Sequence, residues 1–158
     1  LTQVVGRAGR GEKAGRAVIQ TYTPDNDVIV SAARQDYAAF YQSELRMRRI
    51  RRYPPFADIF TLTVSGGEEG AVLRAAAKLR DGMRMGLAYP SAANMGVEVL
   101  GPAPAPILKM NNRYRYRVLW VGKNDHQTRE LMGYYLKAFY NQKENRSLSL
   151  FIDCNAMD

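Results

Sequence analysis

The first ten residues of the chain hold polar side chains at a spacing that suits phosphate chemistry. Gln3, Gly6, Arg7 and Arg10 make the pattern Gln-x-x-Gly-Arg-x-Gly-Arg. Glycine lets the backbone come close to a ligand, and the planar, permanently charged guanidinium suits phosphate oxygens and the charge that develops in phosphoryl transfer. Two arginines three positions apart can both point at one polyphosphate. The pattern therefore predicts part of an ATP site at a cleft between two domains.

This segment resembles the last conserved motif of superfamily-2 helicases, which supplies arginine fingers from the second motor lobe to ATP held mainly by the first. The resemblance implies that Arg7 and Arg10 are catalytic fingers, that Gln3 lies near the γ-phosphate and that Gly6 belongs to the nucleotide-binding loop. The alternative is a flexible basic loop of the kind found in many nucleic-acid binders. The apolar run at 17–22 favours the helicase interpretation, because it is typical of a buried strand that would hold the loop rigidly.

Other parts of an ATPase are missing from the sequence. It contains no Gly-x-x-x-x-Gly-Lys-Ser/Thr phosphate loop, and no paired acidic residues follow a hydrophobic strand to hold Mg²⁺. The chain also begins within the motif and without methionine. We therefore expect the C-terminal fragment of a larger helicase, and we expect that the fragment alone does not hydrolyse ATP.

Composition indicates a basic globular protein with either a polyanionic partner or a basic surface that steers one. The chain carries 23 basic and 15 acidic residues, a formal net charge of +8 and a pI near 9.8. No run approaches the ~20 apolar residues of a membrane span, so we expect no membrane association. With one cysteine, Cys154, and one histidine, His126, neither a disulfide nor a metal site is expected in this fragment, and a reducing cytoplasm fits.

The coarse pattern of elements divides the chain into three parts. Residues 1–26 are expected to be the end of a RecA-like second motor lobe. Residues 27–56 are expected to be a linker helix that begins near Asp27, has one apolar face and ends in a cluster of arginines. Pro54 and Pro55 would stop that helix.

Residues 57–158 are expected to form a C-terminal domain of their own. Strands are predicted near 58–64, 97–100, 113–121 and 148–152, with helices near 68–85 and 126–142. The proline-rich stretch 101–106 is expected to be an extended linker outside any sheet ladder. The order β-α-β-β-α-β is typical of a ferredoxin-like arrangement, so the fold class is α+β with two helices on one face of an antiparallel sheet.

Four landmarks carry a second resemblance, which covers essentially the whole chain. They are the opening motif, Tyr-Pro-Pro-Phe at 53–56, Gly-Pro-Ala-Pro-Ala-Pro-Ile at 101–107 and Asn-Arg-Tyr-Arg-Tyr-Arg at 112–117. In this order they resemble the C-terminal region of the PriA family of bacterial primosomal replication-restart helicases. The basic pair Arg51-Arg52 before Tyr53 departs from the pattern of that family.

The resemblance implies an ATP-dependent 3′-to-5′ DNA helicase that recognises stalled or recombined replication forks and initiates primosome assembly for replication restart. It implies ATP and Mg²⁺ in the intact protein, and zinc bound outside this fragment. The implied partners are forked and single-stranded DNA, single-stranded DNA-binding protein and other primosome proteins. The implied location is the bacterial cytoplasm, in association with the nucleoid.

The strand at 113–121 offers the best candidate for DNA contact. Arg113, Arg115 and Arg117 alternate with tyrosines, so period-two geometry places the arginines on one face and the aromatic rings, with Val118 and Trp120, on the other. We expect the rings to pack under the helices and the arginines to stand on the open face, where guanidinium groups suit a phosphate backbone. A merely solvated face is the alternative.

A second, weaker DNA candidate lies at the end of the linker helix. Arg48 and Arg49 are basic, but they also complement the carbonyl-rich C-terminus of their own helix. For the acidic, apolar-ended tail of single-stranded DNA-binding protein, a partner implied by the resemblance, the candidate residues are Lys123, Arg129 and Lys137 around the last helix.

Two other functions remain open at this point. Another superfamily-2 fork helicase would share the finger motif, and it would differ by lacking the cysteine-rich zinc insertion expected upstream. A non-enzymatic RNA-binding module could use a ferredoxin-like sheet, but it would have no use for Gln3 at its observed spacing.

Overall fold

The computed structural model describes Gln3, residues 16–89, Ala92 and residues 94–156. The chain divides into two compact units, Leu1–Arg51 and Arg52–Asp158. None of the helices in the described residues is both long and apolar enough to cross a bilayer.

The first unit contains two short helices where the sequence predicted one. Helix α1 spans Asp27–Ala33 and helix α2 spans Tyr37–Ile50. The chain breaks between them because Gln35 adopts a positive φ of 54° and the carboxylate of Asp36 accepts the N–H of Ala39, which caps a new helix. The uninterrupted helix expected over the linker is therefore wrong. Within the described residues, α1 and α2 bury no side chain.

The predicted strand at 17–22 is also wrong. Residues 16–20 have no regular secondary structure, Val18 is 82% exposed and Tyr22 is fully exposed. A strand needs a neighbour for its backbone N–H and C=O groups, and the described part of this unit contains no other strand.

The second unit has the predicted order of strands and helices. Its elements in chain order are β1 (Asp58–Gly66), α3 (Glu69–Leu87), β2 (Glu98–Met110), β3 (Arg113–Gly122), α4 (His126–Asn141), a 3₁₀ turn (Lys143–Asn145) and β4 (Ser149–Cys154). The four strands form one sheet in the order β2-β3-β1-β4, and all three neighbouring pairs are antiparallel. The β-α-β-β-α-β prediction and the α+β class are thus confirmed.

Strand β2 corrects the prediction of an unladdered linker at 101–106. It runs through the proline-rich stretch, and Ala103 and Pro104 pair with Arg117 and Tyr116 of β3. The register shifts on both sides of this pairing. Proline is tolerated here because β2 is an edge strand, so only one side of it needs ladder donors, and the bulges absorb the surplus residues.

Both long helices of the second unit pack on the same face of the sheet. On this face β1 contributes Phe60, Leu62 and Val64, and β3 contributes Val118 and Trp120. Helix α3 meets these side chains with an aliphatic stripe, and α4 meets them with Met132, Tyr135 and Phe139. The stripe on α3 consists of Val72, Ala75, Ala76, Leu79 and Met83. We call the opposite sheet face, which carries Arg113, Arg115 and Arg117, the open face.

Candidate nucleic-acid interface

Strand β3 sorts its side chains by face as the alternation predicted. Tyr114 and Tyr116 pack against the core on the helix side, in line with Val118 and Trp120. Arg115 and Arg117 stand in register with Ser65 and Thr63 of β1, on the other side of the sheet. The placement of the rings under the helices and of the arginines on the open face is confirmed, while DNA binding by these arginines stays a prediction.

The two tyrosines are fixed by polar contacts on the helix side. The hydroxyl of Tyr116 donates to the Glu69 carboxylate at 2.8 Å. This hydrogen bond, with burial and the negative charge of Glu69, raises the pKa of Tyr116 above its ordinary value. Lys109 lies over the Tyr114 ring, with Nζ 4.7 Å from the ring centroid. These contacts commit both rings to the interior side of the sheet.

Arg113 is anchored across three strands. Its Nε donates to Ser65 Oγ at 3.1 Å, and its Nη2 donates to the Ser65 carbonyl at 2.9 Å and to Ser149 Oγ at 3.1 Å. A guanidinium has five N–H donors, so three are engaged and the two on Nη1 have no partner among the described residues. Arg113 is therefore held flat on the open face with donors left for a ligand.

Arg115 lies on the same face but differs from Arg113 in its contacts. It is partly buried, and its guanidinium has no hydrogen-bond or ion-pair partner in the described part of the chain. Arg117 is also partly buried and makes a contact of its own. Positive charge held by a strand, with donors available, is what a phosphate oxygen needs.

Strand β4 adds side chains to this face that sequence reasoning missed. Ser149 pairs with Ser65, Phe151 with Thr63 and Asp153 with Thr61, so all three β4 residues lie on the open face. Phe151 is 59% exposed. The available signal was the alternation of Leu150 and Ile152 towards the core, which leaves a large aromatic residue pointing away from it.

The candidate residues of the first unit lie at the end of α2. Arg48 and Arg49 occupy its last turn, where they complement the carbonyl end of the helix. Nε of Arg48 also contacts the Glu44 carboxylate at 2.7 Å, one turn earlier. Arg48 therefore has a structural partner, and the DNA-binding role assigned to the pair stays a prediction.

The three partner-binding candidates are all exposed, but they do not form one cluster. Nη1 of Arg129 donates to the carbonyl and side-chain oxygens of Asn124 at 3.2 and 3.0 Å, beside Lys123 at the start of α4. Lys137 lies eight residues further along the helix, about 12 Å along its axis. The apolar groove between α3 and α4 is lined by other residues, including Met85 and Tyr134.

The amino end of α4 carries charges of both signs. The carboxylate of Asp125 caps the helix by accepting the backbone N–H of Thr128 at 2.9 Å. This hydrogen bond is the main cause that lowers the pKa of Asp125; the charges of Lys123 and Arg129 lower it further, while burial opposes them. The cap carboxylate therefore favours its ionised form.

The predicted nucleotide site falls mostly outside the described residues. Gly6, Arg7 and Arg10 lie there, and Gln3 is described as exposed. Their roles stay predictions. The described residues also hold no group of three or more histidine, cysteine or acidic side chains placed to bind a metal. The zinc and Mg²⁺ implied for the intact protein stay predictions.

Comparison with known proteins identifies the family. Residues 49–157 match the family model described as "Primosomal protein N C-terminal domain". Three of the matching relatives are each named "Replication restart protein PriA". The protein of Bacillus subtilis (strain 168) is 36% identical over 157 residues, which are 98% of this chain and 18% of that protein. The protein of Synechocystis is 41% identical over 122 residues, 75% of this chain and 14% of its own length.

The third relative, from Haemophilus influenzae, is 28% identical over 156 residues, which are 99% of this chain and 20% of that protein. The chain thus spans a fifth or less of the length of these three relatives. The family model covers well over half of the chain, and the observed elements follow the predicted order. This chain belongs to the family of the primosomal protein N C-terminal domain.

Proposed function

We propose that this chain is the DNA-contacting C-terminal part of a replication-restart helicase. Membership of the primosomal family and the relatives named replication restart protein PriA support the process. The basic open face of the second unit supports the contact with nucleic acid. In the longer protein, this face would bind a stalled or recombined fork while a 3′-to-5′ motor unwinds it.

One observation carries the DNA-binding part of the proposal. Arg115 stands partly buried on a strand without a partner among the described residues, and Arg113 lies on the same strand with two donors available. A solvated arginine on a flexible loop loses side-chain entropy when it binds. The Arg113 guanidinium is already held by Ser65 and Ser149, and Arg115 is carried by a paired strand. Together they offer phosphate oxygens two guanidinium groups with donors available, one of them already ordered.

The test is the salt dependence of fork binding by the 158-residue chain. Each phosphate contact that is lost should flatten the slope of log affinity against log salt by about 0.7 to 0.9. We expect Arg115→Gln to weaken binding of a dye-labelled model fork and to flatten the slope by this amount. The matched control is Arg74→Gln, which removes the same charge from α3, where Arg74 pairs with Glu68.

Two results would contradict the proposal. Equal effects of Arg115→Gln and Arg74→Gln would show a general charge effect and not a site. Displacement of the fork by RNA, with RNA bound far more tightly than DNA, would point instead to the non-enzymatic RNA-binding module.

The motor role belongs to the other end of the chain. Gln3, Gly6, Arg7 and Arg10 would complete an ATP site whose phosphate loop and Mg²⁺ ligands lie elsewhere in the longer protein, as would its zinc site. ATP would supply the driving force for unwinding, and the two arginines would stabilise the charge that develops on the transferred phosphoryl group.

Protein partners of the restart process would meet the second unit. Lys123 and Arg129 flank the amino end of α4. Because the Asp125 carboxylate already caps this helix end, an acidic peptide would bind through these two side chains. The acidic tail of single-stranded DNA-binding protein fits that chemistry, and Lys137 would contact a longer stretch of it. Other primosome proteins would assemble on the same DNA, in the bacterial cytoplasm at the nucleoid.

A further inference from the structure

Phe151 is a large aromatic side chain on the open face, next to the arginines. It is 59% exposed, and its neighbours on the same face of β4 are Ser149 and Asp153. A single exposed apolar side chain is ordinary. Phe151 differs from such a residue in its position within the sheet.

Cross-strand pairing sets Phe151 opposite the basic strand. Phe151 pairs with Thr63, and Thr63 pairs with Arg117, so the three residues form one row across β4, β1 and β3. Thr63 is small and only 4% exposed. Two strand spacings, about 10 Å, separate Phe151 from β3. The sheet therefore presents a shallow trough over β1, with an aromatic ring on its β4 side and the arginine strand on its β3 side. At the Ser65 end of the trough, the Arg113 guanidinium reaches across β1 to Ser149, two residues before Phe151.

The backbone that carries the Phe151 ring is held in place by its neighbours. Strand β4 pairs with β1 along its length, Leu150 beside Phe151 is only 3% exposed, and the hydroxyl of Tyr140 holds the outer edge of the strand at Leu150. A pre-positioned aromatic side chain with two torsions loses little entropy when a flat partner stacks on it.

Charges on the open face give the trough a direction. Arg113 and Arg115 lie on the Ser65 side of the Phe151 row, whereas Asp153 lies on the other side of that row, opposite Thr61. Asp153 repels phosphates from its end. A nucleic-acid backbone would therefore pass over Arg113 and Arg115 at the Ser65 end, and its bases would turn towards Phe151.

We propose that Phe151 is a stacking platform for an unpaired base of a DNA strand whose phosphates contact Arg113 and Arg115. This inference rests on the proposed function, and it adds a preference for single-stranded DNA. In a duplex both faces of a base are covered by its neighbours, so only a single-stranded arm offers a face to the ring. Base–aromatic stacking tolerates any sequence.

The test compares three dye-labelled probes on the 158-residue chain: a short oligothymidylate, the same strand with abasic sites in place of its bases, and a blunt duplex of equal length. Phe151→Ala should weaken binding of the oligothymidylate about 5- to 100-fold and leave the abasic strand and the duplex unchanged. Phe151→Tyr should keep the affinity for the oligothymidylate. The control Tyr134→Ala removes an equally exposed ring from α4 and should change none of the three affinities.

The outcomes separate the two proposals. If Phe151→Ala lowers the affinity for all three probes alike, or for none, the stacking assignment is overturned while DNA binding stands. If the unmodified chain binds neither the oligothymidylate nor the duplex, the proposed function itself fails. An unchanged affinity for the duplex would also show that the Phe151→Ala variant is folded.

Discussion

The hydroxyl of Tyr140, near the end of α4, bridges the backbone N–H and the carbonyl of Leu150 on the outer edge of β4. The Tyr140 oxygen accepts from Leu150 N at 3.0 Å and donates to Leu150 O at 3.3 Å. Unpaired N–H and C=O groups on an edge strand invite pairing with another chain. A single side chain thus occupies both groups at the centre of this edge.

The opposite edge of the sheet is covered in a similar way. Nη2 and Nε of Arg84, on α3, donate to the Val99 carbonyl at 2.8 and 3.3 Å, and Nη1 of Arg80 donates to the Gly101 carbonyl at 3.3 Å. Both edges of the sheet therefore receive side chains from the helix layer. These contacts leave fewer groups on the sheet edges free to pair with another strand.

Removing the Tyr140 hydroxyl should loosen the β4 edge. We expect Tyr140→Phe to lower the free energy of unfolding by about 0.5 to 1.5 kcal/mol and to speed hydrogen exchange at the Leu150 amide, because that N–H loses its acceptor. Tyr134→Phe is the control, since the Tyr134 hydroxyl makes no hydrogen bond in the described part of the chain. Unaltered Leu150 exchange in Tyr140→Phe would refute the bridge.

Gly101, the one glycine in β2, should not tolerate a side chain. Its φ is +99°, and a Cβ added there would lie 2.7 Å from the backbone carbonyl oxygen of Arg117. We expect Gly101→Ala to cost about 1 to 3 kcal/mol of unfolding free energy, measured by denaturant titration. Gly133→Ala is the control: the position is helical with no atom within 4 Å of the new Cβ, so this variant should be neutral or stabilising. Equal costs for both variants would contradict the close approach.

Asp125 should make the second unit sensitive to acid. Its folded-state pKa is lowered, chiefly by the N–H of Thr128, so its contribution to stability is present above the unfolded-state pKa and is lost as pH falls through the folded-state value. Asparagine caps a helix equally well but does not titrate. We therefore expect Asp125→Asn to lose less thermal stability than the unmodified chain between neutral pH and about pH 3.

The control for the acid prediction is Asp153→Asn, which removes a carboxylate from the open face and not from a helix cap. This variant shows whether removing any carboxylate alters the pH dependence of the melting temperature. If Asp125→Asn behaves like the unmodified chain, the cap does not contribute to acid sensitivity.

The parts of the fold that depend on local pattern were predictable from the sequence. Strand β1 and helices α3 and α4 lie within about two residues of their predicted bounds, because periodicity and caps are properties of neighbouring residues. The break at Gln35 was missed, since the apolar period continues through it while the backbone does not. Pairing of β2 through Pro104 was missed because tolerance of proline depends on the strand being at an edge, which only the sheet order reveals.

The candidate site likewise has features that the sequence predicted and features that it did not. Alternation alone placed Arg113 and Arg115 on the open face. Their surroundings required three-dimensional pairing: Ser65 and Ser149 are far from Arg113 in sequence, yet both accept its hydrogen bonds. Likewise, nothing within β4 indicates that Phe151 lies opposite a basic strand, because β1 and the register across it set that relationship.

The opening motif makes the strongest prediction about the longer protein. If Arg7 and Arg10 are arginine fingers, replacing either with alanine should lower the DNA-stimulated ATPase rate about 10³- to 10⁵-fold. Fork affinity should hold, because the proposed DNA-binding face lies on β3. Arg7→Lys should stay defective, since lysine keeps the charge but not the planar fork of donors. Arg16→Ala, six residues beyond the motif, tests for a general effect of charge and should keep normal turnover. Near-normal ATPase rates in both Arg7→Ala and Arg10→Ala would instead make the segment a basic loop without a role in ATP hydrolysis.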